Sequence, residues 1–414
     1  MESWKRNLYL VWVAELVAIA GFSFVFPFLP YYVQELGVTD LEQVELWSGL
    51  IFAAQAIPMA IFSPIWGSLA DRYGRKLMVE RAMFGGAIVL AAMGFVQNVQ
   101  QLVILRAIQG SLTGTVAAAT TLVASSTPRE RSGYALGLLQ MAVWSGASLG
   151  PLLGGIVADV WGYRAAFWVT GVLLFLGGIT VWRFVEEDFS PPPRNRGQPG
   201  SGFWDGLKLV VHDRRLVSLF SIRVIARLAI RIIGPILPLF VQSLVPTASR
   251  IASITGLITG AQAATSAVGA LTLGRASDRL GYRRVLLACT AAAAILYIPQ
   301  FFVTNPWQLL VLQAAVGLVM SGVLASISAL LANLAPEGRQ GAVYGVDASM
   351  VSIANGIGPM VGATMAASLG LRAPFLLSAM ALGLASLLAW LLVPTTIHKE
   401  SPSIKGPGDS ASRS

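Results

Sequence analysis

The chain has 414 residues, of which 55% are hydrophobic and 12% are charged, whereas charged residues approach about a quarter of ordinary soluble domains. This composition excludes a soluble globular protein and makes lipid the solvent for most of the chain. The net charge of +9 does not indicate nucleic-acid binding, since the basic residues are concentrated in alternate loops, and one Cys and two His exclude an intramolecular disulfide and a zinc-ligand cluster.

Twelve stretches of about 20 mostly apolar residues are long enough to cross a bilayer as helices. They lie near residues 8–33, 46–66, 78–96, 101–124, 135–158, 165–185, 216–241, 251–273, 285–303, 308–332, 342–368 and 373–394. The first stretch is too long for a signal-peptide core, so we expect it to be retained. The loops opposite the N-terminus hold only Arg164, Arg250 and Arg372 of the 29 Lys and Arg residues. The positive-inside rule therefore predicts that both termini are cytoplasmic.

The first span contains a carboxylate, Glu15, about 10 Å along the helix if the helix begins near Leu8. An acid at this depth is costly unless it is neutral, paired or hydrated, which makes a functional role the first hypothesis. Burial favours the protonated form and a nearby cation favours the ionised form, so alternating exposure would let Glu15 take up and release a proton. A static ion pair and a side chain that extends toward the helix end are the alternatives.

The loop after the second span reads GSLADRYGRK over residues 67–76, and part of it recurs after the eighth span. Glycine permits a tight turn, and an acid among fixed cations forms ion pairs that can differ between two domain arrangements. We predict a conformational latch, the alternative being a basic loop that only sets topology. The candidate latch residues are Gly67, Asp71, Arg72, Gly74, Arg75, Asp278 and Arg279.

Two motifs follow in the fourth and fifth spans. The sequence LVILRAIQG at 102–110 places Arg106 inside the membrane at a cost of about 2.5–3.5 kcal/mol, so it should face a cavity or a partner. The sequence GASLGPLLGG at 146–155 has small residues on one helix face and a proline that weakens the helix, which allows close backbone approach. Its candidate residues are Gly146, Gly150, Pro151, Gly154 and Gly155.

The organisation of the chain is predicted to be two bundles of six helices, at 1–185 and 216–397. Residues 186–215, rich in Pro and Gly, form a predicted cytoplasmic linker, and the polar tail 398–414 is predicted to be disordered. Motifs recur at an offset of 207 or 208 residues, for example Asp71 with Asp278 and Gly150 with Gly358. Since six spans separate the copies, the halves share one topology, which places a substrate site at the midplane between them.

The seventh span carries an arginine stripe, Arg223, Arg227 and Arg231, which should face water, acids or substrate and which favours an anionic or zwitterionic substrate. Arg223 is the repeat counterpart of Glu15, and we expect the two to pair in at least one state. Asp347 has no counterpart and is expected either to relay protons or to pair with the arginines of the 67–76 loop. Further candidates for the substrate cavity are Phe22, Phe26, Gln55, Met141, Trp144, Gln262 and Asn355.

These motifs resemble, over the whole chain, those of the major facilitator superfamily, within it the twelve-span drug/proton antiporters and most closely the bacterial multidrug resistance protein G type. The resemblance implies an all-α integral membrane protein with twelve transmembrane helices in two pseudo-symmetric six-helix bundles, located in the bacterial cytoplasmic membrane. It also implies that Asp71 helps to lock the outward-facing state, that Arg106 takes part in proton coupling, and that residues 146–155 are the antiporter signature.

The predicted function is proton-coupled efflux of small molecules, drugs among them, by alternating access, with Glu15, Arg106 and Asp347 coupling protonation to movement. The alternative is a dedicated exporter or facilitator of one metabolite, sugar or organic anion. A membrane enzyme is disfavoured by the lack of metal-ligand and nucleophile constellations, and a transport-dead sensor by the short tail. We expect a monomer in the bilayer that binds a small-molecule substrate, no nucleic acid and no cofactor, with the proton as coupling ion.

Overall fold

The computed structural model describes residues 3–128, 131–187, 208, 210–245, 250–334 and 340–393, which are almost entirely helical. The helices of the first half are α1 Ser3–Phe24, α2 Leu29–Glu35, α3 Leu41–Tyr73, α4 Arg75–Met93, α5 Val99–Leu112, α6 Thr115–Ser126, α7 Ser132–Trp161 and α8 Tyr163–Phe184. The helices of the second half are α9 Arg214–Ile233, α10 Ile236–Leu244, α11 Ile251–Leu280, α12 Tyr282–Tyr297, α13 Pro306–Leu334, α14 Gln340–Leu369 and α15 Ala373–Leu392.

The predicted repeat is visible in the positions of turns and bonds. Two glycine turns with positive φ recur at the repeat offset, Gly74 with Gly281 and Gly162 with Gly370, each between two consecutive long helices. A buried hydroxyl bond recurs as well: Thr170 donates to the carbonyl of residue 21, and Ser378 donates to the carbonyl of residue 229. The first helix of each half is broken near its prolines, between α1 and α2 and, with a bend of 42°, between α9 and α10.

The number of membrane spans is not confirmed as twelve. Ten of the described helical segments are long and apolar enough to cross a membrane, and the bent pair formed by α9 and α10 makes an eleventh. The remaining predicted span, 78–96, is helical as α4, but its first two turns carry four charged residues, Arg75, Lys76, Glu80 and Arg81. With these four charges, α4 is not apolar enough to be identified as a membrane-spanning helix from its composition. Its length of 19 residues is nevertheless close to what a bilayer requires.

Each half has its own buried hydrophobic core, and the most extensive contacts between the halves are made by two helix pairs. Helix α7 packs against α11, and α3 packs against α14. Both contacts are tight near the end of the bundle that holds the turns at Gly37, Gly162 and Gly370, which we term the closed end. Toward the opposite end, which holds the turns at Gly74 and Gly281, the halves separate, and we term it the open end.

Glycines along the interface helices show this divergence. A methyl group added at Gly155 or Gly256 would overlap the backbone of the facing helix of the other half. One added at Gly67, Gly137 or Gly274, closer to the open end, would meet open space. The halves therefore form a wedge-shaped opening between α3, α7, α11 and α14.

Two predicted segments lie wholly or mostly outside the described residues. Of the predicted linker 186–215, residues 188–207 and 209 are outside, and residues 214 and 215 already belong to α9. The predicted disordered tail 398–414 is outside as well.

Candidate functional site

A cavity of about 400 Å³ lies between the two halves, a volume that suits a small organic molecule. Its walls come from both halves: α1, α3 and α7 on one side, and α9, α11 and α14 on the other. Five of the predicted cavity residues line it, Phe26, Gln55, Arg231, Gln262 and Asn355, together with Pro151 of the 146–155 motif. Their amide and guanidinium groups give polar anchors within an otherwise largely apolar wall.

The other predicted cavity residues lie elsewhere. Phe22 packs on α4 beside Gly86 and belongs to the edge of the first-half core. Met141 is 60% exposed, and neither it nor Trp144 lines the cavity. Arg223 and Arg227 are also absent from its lining, because the stripe on α9 runs from the cavity toward the open end along α13 and α14.

Arg231 is the member of the stripe that reaches the cavity. Its Nε donates a 2.8 Å hydrogen bond to Oδ1 of Asn355, which fixes the guanidinium beside a second lining residue. Gly358 on α14 allows this arrangement, since a methyl group there would press on Cβ of Arg231. The cavity thus presents a positive group whose orientation is set by its neighbour.

The predicted pair of Glu15 and Arg223 is not formed in this conformation. Nε of Arg223 lies 2.6 Å from Oδ1 of Asp347, and its Nη1 donates to the hydroxyl of Ser328 at 3.1 Å. Asp347 also interacts with the charge of Arg227. Its partners are therefore the arginines of α9 and not those of the 67–76 loop, because α14 packs directly against α9.

Glu15 is fully buried on α1. Its Oε1 accepts a 3.1 Å hydrogen bond from Thr115, and its Oε2 has no hydrogen-bond partner among the described residues. Thr115 begins α6 directly after the turn at Gly114, where the fourth span is broken between α5 and α6. The carboxyl group therefore contacts a helix break, a place where backbone geometry can change.

Arg106 is buried on α5, with 2% of its surface exposed. Its Nη1 donates to Oε1 of Gln55 at 2.9 Å and to Oε1 of Gln109 at 3.1 Å. Its Nε and Nη2 have no hydrogen-bond partner among the described residues. A buried guanidinium held by two amide oxygens is poorly compensated compared with one paired to a carboxylate.

The predicted loop 67–76 is helical except at one residue, because α3 continues to Tyr73, the chain turns at Gly74, and α4 begins at Arg75. The repeat copy turns in the same way at Gly281, and both turns lie at the open end. The side chain of Asp71 lies outside the described residues. The guanidinium of Arg72 lies over the ring of Tyr73, and Asp278 accepts a hydrogen bond from Tyr282 in its own half. A residue that the sequence did not single out, Glu187, caps α4 by accepting from the backbone amides of residues 75 and 76 at 2.9 and 2.8 Å.

The glycines of the 146–155 motif hold α7 against two different helices. Gly146, Gly150 and Gly154 contact α1 in the same half, so closely that an added methyl group would overlap its backbone. Gly155 contacts α11 of the other half, at residues 252 and 253, whereas a methyl group added at Gly67 of the predicted latch would meet open space. The motif therefore connects the first span to the seam between the halves.

Polar contacts across the closed end were not predicted from the sequence. Asp159 accepts from the backbone amides of Ala252 and Ser253 at 3.2 and 2.7 Å, so a carboxylate of α7 caps the N-terminus of α11. Tyr31 donates to the carbonyl of residue 238 at 2.6 Å, and the side chains of Gln34 and Gln242 bond to each other. In the sequence, the one feature that could have indicated the contact between the two glutamines is their separation by the repeat offset of 208 residues.

Comparisons with known proteins agree with this architecture. The Major Facilitator Superfamily profile matches residues 11–244 and again residues 219–413. Multidrug resistance protein MdtG of Enterobacter lignolyticus (strain SCF1) is 39% identical over 378 residues, which cover 91% of this chain and 90% of that protein. MdtG of Dickeya zeae (strain Ech586) is 38% identical over 400 residues, covering 96% and 97%.

Among solved structures, a bacterial homolog of the human lysosomal transporter Spinster, in an inward-facing and occupied conformation, is similar with a TM-score of 0.77. The similarity covers 95% of this chain and 97% of that chain at 16% sequence identity, and it shows the fold alone.

Proposed function

Since the chain belongs to the Major Facilitator Superfamily, we propose that it exports small molecules, drugs among them, across a bacterial cytoplasmic membrane by alternating access and in exchange for protons. The observation that carries this proposal is the cavity between the two halves, tightly closed toward one end and open toward the other. The chain is 35–39% identical in sequence to proteins named for multidrug resistance, which favours drugs as substrates.

The open end is assigned to the cytoplasm. The basic residues are concentrated in the turns at that end, and the positive-inside rule places such turns in the cytoplasm together with both termini. The conformation described is then open to the cytoplasm and ready to receive substrate. Export requires the halves to rock so that the closed end opens, with the chain acting as a monomer.

Protons are proposed to enter the cycle at Glu15, a buried carboxyl group whose Oε2 accepts no hydrogen bond from the part of the chain that the structure describes. Arg106 and Asp347 are proposed to respond to its charge. One proton moving down about 100 mV supplies about 2.3 kcal/mol, enough for roughly a fiftyfold gradient of a neutral substrate. In this cycle the 67–76 loop acts as a latch when the open end closes, with Arg72 and Arg279 supplying the cations.

Arg231 in the cavity favours the alternative of an organic anion as substrate. An oriented guanidinium attracts a carboxylate or sulfonate and disfavours a cation, and none of the described residues that line the cavity is acidic. Substrate charge is therefore the property that distinguishes the two candidate functions.

The test is proton flux in proteoliposomes containing the full chain, under an imposed pH gradient, with three probes of fixed charge. The probes are tetraphenylphosphonium as the cation, chloramphenicol as the neutral drug and naphthalene-2-sulfonate as the anion. We expect at least one probe to trigger proton flux in the wild type, and we expect Glu15→Gln to lower that flux by about tenfold or more. The responding probe identifies the charge class.

A matched control is Glu45→Gln, which removes another buried carboxyl group, on α3. Glu45 does not line the cavity, and its substitution should leave probe-triggered flux within about twofold of the wild type. Probe movement without proton flux in the wild type and in Glu15→Gln would instead show a facilitator.

A further inference from the structure

Gln55 belongs both to the substrate cavity and to the surroundings of Arg106. Its side chain lines the cavity on α3, and its Oε1 accepts the 2.9 Å hydrogen bond from Nη1 of Arg106. Among the described residues that line the cavity, it is the one bonded to this arginine. A molecule that binds Gln55 therefore competes with Arg106 for the same amide group.

The backbone at this point is fixed by close helix packing. Gly110 lies one turn after Arg106 on α5, on the same helix face, and a methyl group there would overlap the carbonyl of Gln55. Because the backbones of α3 and α5 are already in close contact here, the conformational freedom at Gln55 lies in its side chain. The amide group can turn toward the cavity or toward Arg106, while the backbone keeps its place.

Arg106 is sensitive to the loss of this bond. Nη1 has two amide acceptors, Gln55 and Gln109, and the other two nitrogens have none among the described residues. A buried cation that loses one of two acceptors is strongly destabilised unless negative charge appears nearby. Ionisation of Glu15, a fully buried carboxyl group of the same half, would supply negative charge to this half.

We infer that Gln55 is the positioning residue that reports substrate occupancy of the cavity to Arg106. When a substrate donor takes Oε1 of Gln55, Arg106 loses an acceptor, which favours the ionised form of Glu15 and the release of its proton to water. This inference rests on the proposed proton coupling. It assigns to Gln55 a role in coupling beyond contact with the substrate.

The second half offers an internal comparison. Gln262 is the repeat counterpart of Gln55 at an offset of 207 residues and lines the same cavity. The counterpart of Arg106 is Gln313, which donates to Gln300 at 3.0 Å, so no buried cation lies behind Gln262. Equivalent substitutions at Gln55 and Gln262 each remove one amide group from the cavity wall, but only the substitution of Gln55 also removes a hydrogen bond to an arginine.

The test measures proton release by the purified full chain in weakly buffered detergent solution at a saturating concentration of the responding probe. Tryptophan fluorescence measures the amount of probe bound. We expect Gln55→Met to bind the probe and to release at least about fivefold fewer protons per bound probe than the wild type. Gln262→Met removes a cavity amide that has no buried cation behind it, so we expect it to bind the probe more weakly but to release at least about threefold more protons per bound probe than Gln55→Met.

A second variant covers the case in which Gln55→Met does not fold. Gln55→Asn keeps an amide in the cavity but is one methylene shorter, and it should lose the contact with Arg106 and the proton release alike. Normal release in either folded Gln55 variant, or an equal loss in Gln262→Met, would overturn the inference and leave antiport intact. No release from the wild type with any of the three probes would instead reject the proposed antiport and the inference with it.

Discussion

At the scale of single residues, the ion pair between Arg223 and Asp347 makes a prediction about stability. Both side chains are largely buried, with 12% and 10% of their surfaces exposed, and Arg227 adds a second positive charge. Asp347→Asn leaves two buried cations without their carboxylate, and we expect the free energy of unfolding to fall by about 3 kcal/mol. Thermal unfolding of the purified protein measures the loss.

The double variant Arg223→Gln with Asp347→Asn tests whether the pair itself is responsible. Removing both charges leaves less uncompensated charge than removing one, so the double variant should be more stable than the sum of the two single losses predicts, by about 1 kcal/mol or more. Strict additivity of the two losses would show that these residues do not stabilise each other.

The same residues show what the sequence can predict at this scale. The free-energy cost of a charge in the membrane identified Glu15, Arg106 and the arginine stripe as groups that need partners, and the lack of a repeat counterpart identified Asp347. The partners depend on which helices pack together, and the sequence does not fix that for a polar side chain. Arg223 was expected to face Glu15 because of the repeat offset, whereas the packing of α9 against α14 gives it Asp347.

At the scale of helices, α7 contains glycines in two different environments. Gly154 contacts the backbone of α1, whereas Gly137 on the same helix faces open space. Gly154→Ala should force α1 and α7 apart and destabilise the protein by about 1–3 kcal/mol. Gly137→Ala should be neutral or stabilising by up to about 1 kcal/mol, since alanine is the better helix former. Thermal unfolding of the two variants compares them, and equal effects would contradict the assigned packing.

Helix positions were predicted well, and helix breaks less so. Apolar length located most helix ends to within about five residues, because the bilayer demands one length and one composition. The helices α3 and α11 continue seven residues past the predicted ends at 66 and 273, through polar sequence up to the glycine turns. The helices of the first and seventh spans break close to Pro27 and Pro235, because a proline removes a backbone donor and weakens the helix. The break in the fourth span at Gly114 was not predicted, since a glycine within an apolar stretch is common in membrane helices.

At the scale of the whole molecule, the repeat offset predicted two halves with a site between them. It could not predict which end of the interface is closed, because one sequence must support both conformations in alternating access. The closed end is held by contacts that the motifs do not include, among them Asp159 and Tyr31. These contacts must break for the cavity to open on that side.

Asp159 gives the sharpest test of this interpretation. Its carboxylate caps the N-terminus of α11 across the interface, a contact that exists only while this end is closed. Asp159→Ala should remove about 1 kcal/mol from the closed arrangement, which shifts the ratio of the two conformations roughly fivefold toward opening at this end. Glu35→Gln is the control, because Glu35 pairs with Arg164 inside one half.

Spin labels at Phe95→Cys and Phe302→Cys, in a Cys289→Ser background, would report the distance between the halves at the closed end. Both positions are 66% exposed, and Cys289 is the single native cysteine, so labelling would be confined to the two introduced sites. In Asp159→Ala we expect a larger population at long distance, and in Glu35→Gln the distribution of the parent protein. If Asp159→Ala leaves the distances unchanged, the cap does not hold this end closed, and packing at Gly155 and Gly256 must do so without it.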